Sequence, residues 1–111
     1  MNKNKEEFKK ALILDTVNEI SYSPKSIVSR IIYKSLNGNI TSFAFDEGQI
    51  LSEHTAPFDA FVLILDGNAE ITINGKLFVL TAGQAIIIPA NSSHSLKAPV
   101  KFKMLLTMIR N

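Results

Sequence analysis

From Ser26 onward, turn signals cut the chain before any segment reaches the length of a stable helix. Asn37-Gly38 and Asn74-Gly75 are the strongest of them, because Asn-Gly best accepts the positive φ angles of a two-residue hairpin turn. Gly48, Gly67, Ala82-Gly83 and Pro89 supply further breaks. Between them lie short segments rich in β-branched and aromatic residues, at 27–35, 40–45, 60–65, 69–73, 76–80, 85–88, 93–97 and 101–109. Segment 69–73 alternates, with Ile71 and Ile73 on one face and Glu70 and Thr72 on the other. Segment 60–65 is continuously apolar, which calls for cover on both faces. Such closely spaced strands specify an all-β sandwich or barrel and exclude a doubly wound sheet.

The first twenty residues read differently. Residues 6–14 suit a short helix with Phe8, Ala11 and Leu12 on one side, or else ALILD adds a strand to a sheet edge. Asp15 is placed to cap a helical turn over 16–19. The expected organisation is an N-terminal segment, 1–20, packed on a single barrel domain, 21–111.

Composition narrows the function classes. With 46% hydrophobic and 20% charged residues the chain is an ordinary globule. The sequence pI near 9.0 invites a nucleic-acid reading. Residues 1–10, however, hold four lysines against two glutamates, and residues 11–111 balance eight basic against eight acidic side chains. No concentrated positive patch remains, and Lys97, Lys101 and Lys103 read as a solvated strand face, so no nucleic-acid partner is expected. The absence of cysteine removes thiolate metal sites, disulfides and cysteine nucleophiles. ALIL at 11–14 is too short for a signal peptide or a membrane span, so a cytoplasmic protein with no membrane partner is expected.

The two histidines stand in related settings. His54 follows Gly48 after five residues and precedes the break at Pro57, and Gly67 closes the segment. The later segment runs from Gly83 through Pro89 to His94. This pattern resembles the two motifs of the cupin family, small double-stranded β-helix (jelly-roll) barrels. Gly48, His54 and Gly67 fall on the first motif, Gly83, Pro89 and His94 on the second. The string SEHTAPFDA also looks similar to that of small bacterial single-domain cupins, for which the resemblance implies no assigned activity. Other positions depart from the pattern. The second histidine and the glutamate of the first motif are Ala56 and Ala60 here, while Asn91 and Ala98 replace a glycine and an asparagine of the second. Of the four metal ligands the family pattern implies, His54 and His94 remain.

Strand parity turns positions 54, 56, 60, 62 and 64 inward and leaves Phe61, Leu63 and Leu65 outward. An apolar outer face of that kind, together with the habit of cupin-like proteins, gives the expectation of a homodimer. The expected pocket lies at the barrel mouth between His54 and His94, lined by Ala56, Phe58, Ala60, Val62, Phe43, Phe45 and Met104. Its expected occupant is a small organic ligand or a weakly held divalent ion: zinc, nickel, iron or copper. A third ligand would have to come from Glu53, Asp59 or Gln49, and Asp59 turns inward only if the break at Pro57 introduces a bulge. The competing expectation is a metal-dependent cupin enzyme: an oxygenase, isomerase or decarboxylase. Neither Glu53 with Asp59 nor Ser52, Ser92 and Ser93 forms a convincing acid–base or nucleophile arrangement, so no catalytic residue is assigned.

Overall fold

The structure, a computed structural model, describes residues 8–110. Nine strands follow one another: β1 (Ile27–Ser35), β2 (Gly38–Phe45), β3 (Ile50–His54), β4 (Asp59–Asp66), β5 (Asn68–Ile73), β6 (Lys76–Thr81), β7 (Ala85–Ile88), β8 (His94–Lys97) and β9 (Phe102–Ile109). They form two antiparallel sheets, β1-β2-β9-β4-β7 and β3-β8-β5-β6, with the core between them. No helix is present among the described residues.

The two Asn-Gly pairs do different work. Ile73 pairs with Lys76, so Asn74 and Gly75 are the two turn residues, and both have positive φ, at 49° and 82°. Ser35 instead pairs with Gly38, which makes Leu36 and Asn37 the turn. Gly38 is already the first residue of β2, and a Cβ there would stand 2.2 Å from the Met108 carbonyl oxygen. Close approach of two backbones, and not a primed turn, explains the second glycine.

The interior follows from strand parity. Ala60, Val62 and Ile64 of β4 are buried, as are Ile71 and Ile73 of β5, Ile88 of β7 and Leu96 of β8. Phe45 and Phe102 pair across β2 and β9 and stack at 4.5 Å between ring centroids, both wholly buried. Such a stacked pair adds about 1 kcal/mol beyond the area it buries. The cover expected over both faces of 60–65 is incomplete, since Phe61 is 40% exposed while Leu63 and Leu65 are half-buried.

The N-terminal segment takes neither course expected of residues 6–14. Residues 6 and 7 lie outside the described residues, and 8–14 form neither helix nor strand. Ala11 has φ 62°, a left-handed conformation that ends any helix there. At Asp15 one helical turn does form, the amides of Asn18 and Glu19 donating to its backbone carbonyl. Its carboxylate accepts from the Asn18 side chain and not from the backbone.

The chain beyond that turn lies against the outer face of the five-stranded sheet. Ile20 is buried there, Glu19 pairs with Arg30 of β1, and the Tyr22 hydroxyl donates to Asp66 at 2.6 Å. Lys103 corrects the reading of a solvated strand face. It is 8% exposed, and its ammonium donates to the Val17 carbonyl at 2.6 Å, because the N-terminal segment covers it.

Candidate functional site

β3 and β8 bring the histidines together. Leu51 pairs with Leu96 and His54 with His94, so Ser52 and Glu53 on β3 stand opposite Ser95 alone. This is a β-bulge, and it changes the parity of the strand. On a regular strand Leu51 and His54 would point to opposite faces; across the bulge both line the same cavity. The bulge falls at 52–53, ahead of the Pro57 break where the sequence suggested one. Asp59 accordingly keeps its outward parity, and its carboxylate accepts from the Ala90 amide at 2.8 Å.

The imidazole rings sit 4.3 Å apart between centroids, at 59° to each other. Each is held in the same way. Nδ1 of His54 lies 2.8 Å from the Ser52 carbonyl, and Nδ1 of His94 lies 3.0 Å from the Ser92 carbonyl. A carbonyl only accepts, so each Nδ1 is the donor, and a ring in its neutral form then has its lone pair at Nε2. His94 is buried and His54 exposed, which puts His54 at the rim.

Behind the rings lies a cavity of about 60 Å³, lined also by Leu51, Ala56, Phe58, Ala60, Val62 and Ile88, and by Leu96, Met104, Leu106 and Met108. Among the described residues, the two imidazoles are its only nitrogen- or oxygen-bearing side chains. Two short hydrogen bonds hold its rim: the Asn91 amide donates to the Ala56 carbonyl at 2.7 Å, and the Ala90 amide donates to the Asp59 carboxylate. Asn91 adopts φ 66°, which asparagine tolerates better than most residues, so its side chain in place of glycine leaves the turn intact. A wider groove of about 500 Å³ lies outside the barrel between residues 8–14 and β1, but it is open to solvent and apart from the histidines.

Of the expected lining, Ala56, Phe58, Ala60, Val62 and Met104 border the cavity. Phe43 and Phe45 do not; Phe43 stands opposite the lining residue Met104 on the neighbouring strand, and Phe45 lies further along, stacked on Phe102. Ile88, Leu96, Leu106 and Met108 border it without having been singled out, although the parity of their strands places them inward, and Leu51 borders it because of the bulge.

The candidate third ligands do not converge on the rings. Glu53 accepts from the Ser93 hydroxyl, Asp59 from Ala90, and Gln49 precedes β3 at the end opposite His54. Among the described residues no group of three or more His, Cys, Asp or Glu side chains is arranged to hold a metal ion. A catalytic zinc site ordinarily takes three protein ligands, and methyl groups occupy Ala56 and Ala60. This donor set does not fit such a site.

Two facing antiparallel sheets with a pocket at one end of the barrel define the double-stranded β-helix class. The cupin domain family matches residues 42–110, and the chain belongs to it. A conserved protein of unknown function from Streptococcus pyogenes is 36% identical, with a TM-score of 0.88 over 94% of this chain and 91% of that one. A cupin superfamily protein from Desulfitobacterium hafniense DCB-2 is 25% identical, with a TM-score of 0.86 over 93% and 94% of the two chains. Mannose-1-phosphate guanylyltransferase of Klebsiella pneumoniae is 46% identical over 37 residues, which are 33% of this chain and only 8% of that enzyme.

Proposed function

We propose that this chain is a small-molecule-binding cupin barrel whose pocket lies between His54 and His94. The observation that carries the reading is the paired imidazoles, each anchored through Nδ1, at the rim of an otherwise apolar cavity. Preformed apolar pockets with a few fixed polar groups are the usual form of a ligand site. The two imidazole rings, 4.3 Å apart between centroids, also favour a second reading, a divalent-metal site serving a cupin enzyme, and the methyl groups at Ala56 and Ala60 count against it.

One experiment separates the two. Metal content is measured after purification without chelator or affinity tag, on the wild type and on His54→Ala and His94→Ala. Stoichiometric metal lost from both variants favours the enzyme. No metal, with thermal stability unmoved by zinc, nickel, iron or copper, leaves the binding module.

The proposal extends to a homodimer, supported by the exposed Phe61 and Ile87 on neighbouring strands of one outer face. Light scattering at micromolar concentration tests this, and a single monomeric species removes it. Lack of cysteine is consistent with the cytoplasm as its location. Among the described residues no helix is long and apolar enough to cross a membrane.

A further inference from the structure

We infer that the cavity selects a neutral hydrogen-bond donor on a short apolar stem, an alcohol or primary amide, and rejects isosteric carboxylates and ketones. The inference rests on the cavity being the ligand site.

Its chemistry follows from what the lining lacks. Both Nδ1 protons are committed to the carbonyls of Ser52 and Ser92. What the rings offer a ligand is therefore two lone pairs, at the Nε2 atoms of rings 4.3 Å apart. Two acceptors cannot satisfy each other. The remaining lining is hydrocarbon and the thioethers of Met104 and Met108, which supply no donor. Whatever enters must bring the hydrogens. An alcohol brings one and a primary amide two, while a carboxylate or ketone sets its own lone pairs against those of the rings and loses its hydration in doing so.

Among the described residues no lysine or arginine lines the cavity to reward an anion. The Arg110 guanidinium lies over the ring of the lining residue Phe58, 5.0 Å from its centroid, and Arg110 itself does not line the cavity. Size sets the stem. At about 10–15 Å³ per water-sized group, a cavity of about 60 Å³ accepts roughly four to six non-hydrogen atoms. Isobutanol and isobutyramide meet that limit, as do isobutyrate and methyl isopropyl ketone, so the four probes differ in head group and little in bulk.

The experiment uses the full chain at mildly alkaline pH, where histidine is ordinarily neutral. Two-bond proton–nitrogen NMR of the rings first reads the tautomers. Both histidines are expected as the Nδ1–H form, and an Nε2–H form in either overturns the inference. The four probes are then titrated while the ring signals of His54 and His94 are followed. Isobutanol and isobutyramide are expected to bind about tenfold more tightly than isobutyrate and the ketone, the worth of roughly one hydrogen bond.

Equal or tighter binding of isobutyrate, whether or not Arg110→Gln abolishes it, overturns the donor rule and leaves the cavity as the ligand site. Failure of all four probes to move the ring signals overturns both readings. In Ala60→Leu, which fills the cavity, binding of every probe is expected to disappear, and persistence of binding locates it elsewhere and overturns both. The comparison on the unmodified chain carries the donor test if that variant does not fold.

Discussion

The two ends of the barrel are built from the same strands and differ in what fills them. At one end β4 finishes in Ile64 and Asp66, and β9 begins with Phe102 opposite Phe45. Large side chains close that end completely, and the N-terminal segment clamps it from outside through Tyr22 to Asp66 and Lys103 to Val17. At the other end the inward positions hold Ala56 and Ala60, and the space left over is the cavity under the histidines. Dense packing is thus concentrated at the clamped end, and the candidate site lies at the end with smaller inward side chains. A barrel can surrender packing at one mouth when the opposite mouth is closed twice over, by its core and by its strap.

Four substitutions test that division. Phe102→Ala at the closed end removes one ring of the stacked pair and should cost about 3–5 kcal/mol, read from denaturant unfolding. Loss below about 1 kcal/mol would mean that the closed end is not where stability lies. Next in size is Tyr22→Phe, which removes a hydrogen bond to a carboxylate and should cost about 1.5–3 kcal/mol near neutral pH.

That cost should depend on pH. Burial first, then the hydrogen bond to Asp66 and its negative charge, raise the Tyr22 phenol above its ordinary value of 10.0. Its contribution is complete below about pH 10 and fades as pH rises, because the unfolded chain ionises before the folded one. The gap between wild type and Tyr22→Phe should narrow above that point, and a constant gap would detach Tyr22 from the clamp.

At the open end, Ala60→Leu should change stability by less than about 1.5 kcal/mol, since the added atoms enter existing space. A cost like that of Phe102→Ala would show that the open end is as tightly determined as the closed one. Smallest is Ser42→Ala. The Ser42 hydroxyl is wholly buried on the clamped face without a hydrogen-bond partner, so its removal should be neutral or stabilising by up to about 1 kcal/mol.

Much of the barrel was legible in the sequence because turn chemistry is local. Asn74-Gly75, Gly67 and Pro89 each end a strand for reasons contained in one or two residues, and β1 and β7 run over the segments expected of them. The inward set on β4 was legible for the same reason, since alternation belongs to the strand itself. Parity says which face a side chain takes and not how far along the barrel it stands. Phe43 and Phe45 therefore share the inner face with Met104 but lie outside the cavity lining. The burial of Lys103 was hidden because it depends on Val17, distant in sequence, crossing over it. The bulge at Ser52 and Glu53 was hidden too, since neither residue marks a break.

That bulge makes the site depend on counting. His54 reaches the cavity because β3 carries two residues where β8 carries one. Deleting either Ser52 or Glu53 would make the strand regular and leave Leu51 and His54 two residues apart, as Leu96 and His94 are, so both would still face the cavity. The pocket is written in the length of the chain as much as in its letters: a gap of one there is absorbed, and a gap of both positions would turn Leu51 and His54 to opposite faces while every residue of the lining survived.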